Sequence, residues 1–278
     1  MLRILTLLAA IITASADAGE NRWSRIPAPS PGAPQAIGTY ANGCQTGART
    51  LSESGDGYVS IRRFRNRYYA QPVTLELIHH VGARMAQQGR RILVGDLSQP
   101  IGGEMSYGHA SHQSGLDVDF WFSTLAHNQH PSPNLDKTDP PSMVDKAGGV
   151  MRMGEWRPEY RDALHAAATF AHTSRIFVNP VIKQYLCVTE SDRRWLHKIR
   201  PWGGHDAHFH VRLDCPPGSP YCESQKPLPP GDGCTDDLLN WIADQSDAIL
   251  NPKPKKPSPP AAPKIPPAQC EALANSMM

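Results

Sequence analysis

The chain has 278 residues, with 28 Lys and Arg against 26 Asp and Glu and a formal net charge of +2 at pH 7. Both signs of charge are mixed along the sequence, so it indicates no basic patch, and we expect no nucleic-acid partner. The length suits one domain with a sizeable core, or two small ones, and we favour one.

The N-terminus predicts an export signal over residues 1–18. Arg3 supplies a positive charge, residues 4–14 are mostly apolar, and residues 16–18 form a small-x-small cleavage site. The mature protein should therefore begin near Gly19. The apolar run is too short to cross a bilayer, and no later stretch approaches about 20 apolar residues, so we expect no membrane span. A retained anchor is the alternative.

Six cysteines in an exported chain predict three disulfides, because an oxidising compartment lets disulfides persist. Spacing alone leaves many pairings open, although a turn-forming segment between Cys215 and Cys222 favours that local pair. A cysteine zinc site is a weak alternative, since paired Cys-x-x-Cys spacing is absent. The cysteines are Cys44, Cys187, Cys215, Cys222, Cys234 and Cys270.

The first half of the chain contains one clear helical pattern. Residues 25–38 are proline-rich and predict an extended lead-in with little core. Residues 74–88 have apolar residues at helical spacing, with Thr74 as the cap and Gly89 at the end. Residues 91–95 indicate a short strand. His79 and His80 lack the Glu of a His-Glu-x-x-His motif, so we interpret them as structural or surface residues.

Two later segments alternate like strands. Residues 116–122 place Asp117 and Asp119 on one face, which predicts a half-buried strand with an acidic face. Residues 208–213 place His208, His210 and Arg212 on one face in the same way. Between them we expect a long loop that forms a wall or lid, a helix, a short strand and a more helical segment. Those elements cover residues 124–149, 158–170, 176–178 and 180–186.

These elements predict an α+β fold, with a central antiparallel sheet that carries a zinc site, flanked by helices and long loops. We assign residues 19–250 to the domain. Residues 251–278 are interpreted as a Pro/Lys-rich tail, solvated as polyproline II from residue 251 to 267 and tied back through Cys270.

The two strands supply a set of metal-ligating side chains. A water-activating zinc site needs about three N or O ligands and one open position. His112, Asp119 and His210 provide such a set. His208 lies on the same face as His210, about 6.6 Å along the strand, and is free to act on a water or an oxyanion. Taken singly, each His or Asp is more often structural, but His109 and His205 bring the histidines on these two short segments to five.

The spacing of these residues resembles a known group. His112, six intervening residues and Asp119, followed far downstream by His208-x-His210, are similar to the lysostaphin, D-alanyl-D-alanine carboxypeptidase and hedgehog-type zinc peptidases. Within that group, the strings SYGHASHQSGLDVD (106–119) and WGGHDAHFHVRL (202–213) most resemble the penicillin-insensitive murein endopeptidases. The similarity runs from about residue 25 to 241 and includes PPGDGC (229–234).

The resemblance implies a periplasmic enzyme that cuts the D-alanyl to meso-diaminopimelyl cross-link between the stem peptides of peptidoglycan. His112, Asp119 and His210 would be Zn²⁺ ligands, His208 the general base or transition-state stabiliser, and His205 an assistant. His109 would be either a further ligand or a neighbour of the ligands. The implied disulfides are Cys44–Cys270, Cys187–Cys234 and Cys215–Cys222. The tail that carries Cys270 departs from the family core.

Several functions remain open from the sequence alone. The metal signature does not fix which bond is cut, so a zinc D,D-carboxypeptidase that removes a terminal D-alanine is the nearest alternative. A noncatalytic peptidoglycan-binding or hedgehog-like module would keep the metal for structure. A secreted domain without metal is a third possibility. A metal mechanism needs no serine nucleophile, and the sequence has no Ser-x-x-Lys motif, so we expect insensitivity to beta-lactams.

Overall fold

The computed structural model describes residues 20–254 and 263–278. The predicted signal peptide of residues 1–18 lies outside the described residues and stays a prediction, as does the domain boundary at residue 250. Among the described residues, no helix is both long and apolar enough to cross a membrane. The helices of this part of the chain are α1 (Pro72–Ala86), α2 (Pro158–Thr169), α3 (Pro180–Thr189), α4 (Asp236–Leu250) and α5 (Ala268–Met277).

The strands form one main sheet and small two-stranded ribbons. The main sheet has seven strands in the order β12-β11-β13-β8-β7-β5-β4. The strands are β1 (Gln35–Thr39), β2 (Asn42–Thr46), β3 (Arg49–Thr50), β4 (Ser54–Gly55), β5 (Tyr58–Ser60), β6 (Tyr69–Ala70), β7 (Arg90–Val94), β8 (Asp117–Ala126), β9 (Val144–Asp145), β10 (Val150–Met151), β11 (Thr173–Val178), β12 (Ile199–Pro201) and β13 (His208–Leu213).

The predicted α+β class is confirmed, but the sheet is mixed and not wholly antiparallel. Strands β7, β8, β13 and β11 pair antiparallel in the centre. Strand β5 is parallel to β7, and β12 is parallel to β11. Parallel neighbours need crossover connections, and here helix α1 lies between β5 and β7 while helix α3 lies between β11 and β12.

Helices cover one face of this sheet and leave the other for the site. Val118, Phe120 and Phe122 of β8 join Phe209 of β13 and the apolar stripe of α1 in the main core. Burial of these apolar side chains contributes to the driving force for packing the helices on the sheet. The residues between them in the sequence point to the opposite face. The two central strands therefore hold the site against a rigid core.

Helix α1 begins earlier than the sequence predicted. Pro72 occupies the first turn, where its missing N–H costs nothing, and Gln71 is the cap residue. Thr74 does not cap the helix, because its hydroxyl donates to the carbonyl of Gly115 at 2.7 Å. Gly89 lies just beyond the helix with φ +66°, as expected of a glycine after a helix end.

The expectation of little core near the N-terminus was wrong. Strands β1 and β2 form an antiparallel hairpin. Ile26 and Ile37 are buried in a second apolar cluster with Cys44, Cys270 and Ala274. Cys270 and Ala274 of this cluster come from helix α5 at the other end of the chain, so local composition did not reveal the whole cluster.

The C-terminal segment is more helical than predicted. Helix α4 continues to Leu250, and helix α5 begins at Ala268. Residues 255–262, within the stretch predicted to be polyproline II, lie outside the described residues. Helix α5 is joined to strand β2 by the Cys44–Cys270 disulfide.

All six cysteines are paired in the structure. The pairs are Cys44–Cys270, Cys187–Cys234 and Cys215–Cys222, which are the pairs that the resemblance implies.

The predicted loop of residues 124–149 forms a wall. Strand β8 extends to Ala126, a 3-10 turn covers Leu135–Lys137, and β9 pairs with β10. The backbone N–H of Met143 donates to the carbonyl of Asp206 at 2.7 Å, and Lys146 Nζ is 2.9 Å from the Asp206 carboxylate. These contacts fix the loop beside strand β13.

Candidate metal centre

Strands β8 and β13 place an aspartate opposite a histidine. Asp119 and His210 are direct partners in the antiparallel register, and His210 Nδ1 is 3.4 Å from Asp119 Oδ1. Both side chains are buried on the face of the sheet that the helices leave uncovered. Rigid strands therefore hold two of the predicted ligands at a fixed separation.

His112 approaches the same carboxylate from the loop before β8. Its Nε2 is 3.4 Å from Asp119 Oδ1, and its side chain is fully buried. The residue has φ +65°, an uncommon conformation for a residue other than glycine. Its backbone N–H donates to Asp117 Oδ2 at 2.9 Å, which fixes this turn and aims the imidazole. Such strain is typical of functional sites.

Several polar atoms in this cluster have no hydrogen-bond partner within the described chain. They are both ring nitrogens of His112, Nε2 of His210 and Oδ1 of Asp119, all of them buried. Unpaired buried polar groups are costly and usually have a partner. Imidazole nitrogens and a carboxylate oxygen are the donor set of a divalent metal such as zinc. The residues therefore fit a metal ion.

His109 faces the same point from the side. Its Nδ1 is 3.6 Å from Asp119 Oδ2, and one potential ligand atom from each of His109, His112 and Asp119 lies within 4.8 Å of the others. His210 does not belong to that compact group, but its Nδ1 is 3.4 Å from Asp119 Oδ1. The structure therefore brings the four predicted metal residues together. His109 belongs to the compact group, whereas the sequence left open whether it is a ligand or a neighbour of the ligands.

His208 and His205 line the open side of the cluster. His208 is partly exposed, with its Nε2 3.8 Å from Asp119 Oδ1. The ring of His205 is 5.0 Å from that of His208 and 5.9 Å from that of His210, centroid to centroid. His205 Nδ1 is 3.0 Å from the carbonyl of Gly203. Because a carbonyl only accepts, Nδ1 carries the proton and Nε2 is left as the acceptor.

Asp117 is a site residue whose role the sequence did not reveal. It is fully buried, accepts hydrogen bonds from Arg212 Nε at 2.7 Å and Nη2 at 3.2 Å, and lies 3.0 Å from His210 Nε2. A carboxylate behind a ligand histidine orients the ring and raises its basicity. The signal was the shared polar face of Asp117 and Asp119. The predicted acidic face is present, but the prediction that the strand is half-buried was wrong, because Asp117 and Asp119 are themselves buried.

Asp96 is a second residue that the sequence did not indicate. Its Oδ2 accepts from Arg67 at 2.9 Å and Arg65 at 3.1 Å, and lies 3.0 Å from His109 Nε2. Burial opposes ionisation of Asp96, but His109 and the two arginines outweigh it and lower the pKa to about 2. A charged carboxylate thus positions His109. Nothing in the local sequence pattern marked Asp96.

The buried charges favour a neutral histidine beside ionised carboxylates. Burial lowers the pKa of His210 to about 3, so its imidazole is neutral and able to ligate. Burial alone would raise the pKa values of Asp117 and Asp119, but Arg212 lowers the first and His112 the second to well below the usual range. Conversely, Asp119 raises the pKa of His112 despite burial, so a metal ion would compete with a proton there.

Two clefts meet at this cluster. One has a volume of about 200 Å³ and the other about 370 Å³. His109 lines both, while His208 lines the smaller and His210 the larger. The predicted wall contributes Asp139 and Pro140 to the smaller cleft. The cluster therefore lies between two clefts that share His109 as a lining residue.

Comparison with known proteins decides the family. The penicillin-insensitive murein endopeptidase family matches residues 36–275. The chain belongs to this family. The match includes both site strands and helix α5, so the segment after Trp241, which sequence analysis placed outside the family core, lies largely within it.

Full-length relatives agree with this assignment. The penicillin-insensitive murein endopeptidase of Haemophilus influenzae is 38% identical over 99% of this chain and 96% of its own length. Proteins of that name from Escherichia coli and Klebsiella pneumoniae are each 39% identical, over 96% and 97% of this chain and 95% and 96% of their own lengths. The described centre is thus that of a murein endopeptidase family member.

Proposed function

We propose that this chain is a zinc-dependent peptidoglycan endopeptidase that hydrolyses the D-alanyl to meso-diaminopimelyl cross-link in the periplasm. One observation carries the proposal. Buried nitrogens of His112 and a carboxylate oxygen of Asp119 have no hydrogen-bond partner among the described residues where two clefts meet, and His210 Nδ1 is 3.4 Å from the same oxygen. Family membership and the names of the relatives supply the substrate class. The predicted export signal and three disulfides support the location.

His112, Asp119 and His210 would hold the ion, with His109 aimed at it and held by Asp96. Zinc, when bound, supplies a Lewis acid that lowers the pKa of a bound water to about 7 and polarises the scissile carbonyl. Asp117, with Oδ1 3.0 Å from His210 Nε2, would keep the ring of His210 in place. The protein groups do the remaining work.

His208 is placed to move the proton. Its partial exposure and its position on the open side of Asp119 let it take a proton from the attacking water. It then stabilises the oxyanion that develops on the scissile carbonyl, or passes the proton to the leaving amine. His205 lies beside His208. Burial lowers the pKa of His205, and the neighbouring His208 lowers it further. A neutral His205 can therefore accept a hydrogen bond through Nε2 and orient its neighbour.

The direct test uses a purified cross-linked muropeptide dimer and the mature protein. The products are weighed by mass spectrometry for zinc-loaded protein, chelated protein and the His210→Ala variant. His130→Ala, which changes an exposed histidine, is the matched control. We expect two monomers with zinc-loaded wild type and His130→Ala, and uncut dimer in the other samples.

Other outcomes of this experiment would favour a different function. Loss of a terminal D-alanine with no loss of the cross-link would favour a D,D-carboxypeptidase. A protein that binds zinc but cuts nothing would favour a binding module. Cleavage that survives complete removal of metal would overturn the proposed mechanism.

A further inference from the structure

Arg175 projects from the sheet into the larger cleft. It lies on β11 directly opposite Arg212 of β13, and Phe177, two residues on, lies opposite His210. Since alternate residues share a face, Arg175 lies on the face that carries the metal cluster, about 6.6 Å along the strand from Phe177. The cavity of about 370 Å³ that Arg175 lines also contains His205 and His210.

Arg175 differs from the other arginines of the groove in its charge balance. Arg62 pairs with Asp139, Arg65 with Asp96, and Arg212 with Asp117. Arg175 forms no ion pair with any carboxylate of residues 20–254 or 263–278.

The hydrogen bonds of Arg175 are also incomplete. Nη2 donates to the carbonyl of Lys226 at 2.8 Å, while the buried Nε has no partner among the described residues. Burial and the neighbouring Arg212 both lower its pKa. The residue as a whole is only partly buried, and an arginine stays charged in such surroundings. Its guanidinium therefore lines the larger cleft without a paired carboxylate among the described residues.

The proposed substrate carries an anion next to the reacting bond. In the D-alanyl to meso-diaminopimelyl link, the carbon that bears the scissile amide nitrogen also bears a free carboxylate. A terminal D-alanine has a carboxylate in the same relation to its amide nitrogen. Guanidinium groups bind carboxylates through two parallel hydrogen bonds, which fixes orientation as well as charge.

We propose that Arg175 binds the carboxylate on the carbon attached to the scissile amide nitrogen, and so sets both specificity and substrate direction. This inference rests on the proposed function. The leaving-amine half occupies the larger cleft beside Trp202, which is 56% exposed and packs at 5.5 Å from the Phe177 ring. The acyl half lies in the smaller cleft, whose arginines are already neutralised.

The test compares Arg175→Gln and Arg175→Lys with wild type. Each is assayed on a cross-linked dimer with that carboxylate free and on the same dimer with the carboxylate amidated. Peptides ending in D-alanine or D-alaninamide form a second pair, which separates the two sources of the carboxylate. Arg49→Gln, at an exposed position on β3, is the control. Thermal unfolding verifies that each variant is folded.

We expect wild type to prefer the free carboxylate by about 10–100-fold in kcat/KM, mostly through KM, as for loss of a charge-assisted hydrogen bond. Arg175→Gln should lose that preference while cutting the amidated dimer within about threefold of wild type. Arg175→Lys should retain part of it. If Arg175 had only a structural role, its replacement would lower kcat/KM equally for the free and the amidated substrate.

Binding gives a readout that does not need cleavage. The product peptide with the freed amine and its neighbouring carboxylate should bind zinc-loaded wild type about tenfold more tightly than its amide, and Arg175→Gln should bind both alike. Equal handling of acid and amide by wild type, or an unchanged preference in Arg175→Gln, overturns the assignment. Absence of cleavage with intact Arg175-dependent binding instead refutes the endopeptidase function and leaves the carboxylate site standing.

Discussion

Asp117 faces Arg212 across strands β8 and β13, with Oδ1 2.7 Å from Arg212 Nε. The same carboxylate accepts the backbone N–H of His112 at 2.9 Å and lies 3.0 Å from His210 Nε2. One buried ion pair thus positions two proposed metal ligands from different elements. The ion pair connects the stability of the sheet to the geometry of the site.

Asp117→Asn should weaken both zinc binding and folding. The amide cannot neutralise Arg212, and breaking a buried pair costs about 3–5 kcal/mol. The uncharged amide also interacts more weakly with the His210 ring, whose Nε2 lies 3.0 Å from Asp117, so zinc affinity should fall about 10–100-fold. Chemical denaturation of metal-free protein measures the first effect, and competition with a chelating dye measures the second.

Asp56→Asn is the matched control for this change, because Asp56 is exposed in a turn. It should leave both quantities at wild-type values. If Asp117→Asn bound zinc as tightly as wild type while losing stability, the carboxylate would be a structural partner of Arg212 and not a support for His210.

Metal removal should reduce stability without unfolding the chain. The main core and three disulfides do not depend on the metal centre. Zinc at about 100 times its Kd stabilises the native state by about 2.7 kcal/mol, which corresponds to roughly 5–10 °C in Tm for a chain of this size. Calorimetry with and without chelator measures the shift.

The shift should vanish in His210→Ala and persist in His130→Ala. Collapse of the secondary structure on chelation, seen by circular dichroism, would instead identify the metal as an obligatory part of the fold. A zinc-independent Tm in wild type would argue that the buried nitrogens of His112 bind no metal.

The site strands were predictable because their period of two is local. Alternation placed His208 and His210 on one face of β13, and the sequence placed His112 in the turn just before the strand that carries Asp119. Alternation gives the face of a side chain but not its depth. Asp117 is fully buried because Arg212, 95 residues further along the chain, lies opposite it.

The missed parts of the fold depend on distant partners in the same way. Ile26 and Ile37 are buried in one cluster with Cys270 and Ala274. The proline-rich composition around them suggested a surface segment, because it carries no information about these distant residues. The sequence did not predict helix α4, which ends at Leu250, directly before the Pro/Lys-rich residues. Parallel pairing at β5 and β12 cannot be read from alternation, because it is set by the helical crossovers.

The long-range disulfide should stabilise the chain more than the short one. Cys44–Cys270 closes a separation of 226 residues and joins helix α5 to β2, whereas Cys215–Cys222 closes only seven. Chain entropy assigns about 5 kcal/mol to the first loop and about 2 kcal/mol to the second. We expect the double alanine variants to lose stability in that order in denaturant titrations. Equal losses would show that local strain or packing, and not loop length, sets the contribution.

Lys183 should make stability depend on pH in the alkaline range. Its side chain is fully buried, and Nζ donates to the carbonyls of Leu196, at 2.7 Å, and Asp232. Burial, assisted by Arg200, lowers the pKa of Lys183 from 10.5 to about 7. A neutral amine has two N–H groups for these two acceptors, so the uncharged form fits the site.

The direction follows from proton counting. Between pH 7 and 10.5 the unfolded lysine binds a proton that the folded one lacks, so stability rises with pH across this window. The loss of unfolding free energy caused by protonating the buried Lys183 is complete below pH 7 and disappears above 10.5. Between these values the unfolding free energy rises by up to about 1.4 kcal/mol per pH unit.

Lys183→Met removes the titrating group, so the wild-type minus variant difference in unfolding free energy should rise from pH 7 to 9. Lys253→Met, at an exposed lysine, should show no such trend. Urea titrations at each pH measure the difference, and intact disulfides keep the unfolded reference constant. A flat difference would mean that Lys183 stays protonated in the folded state, in which case the two carbonyls must stabilise an ammonium.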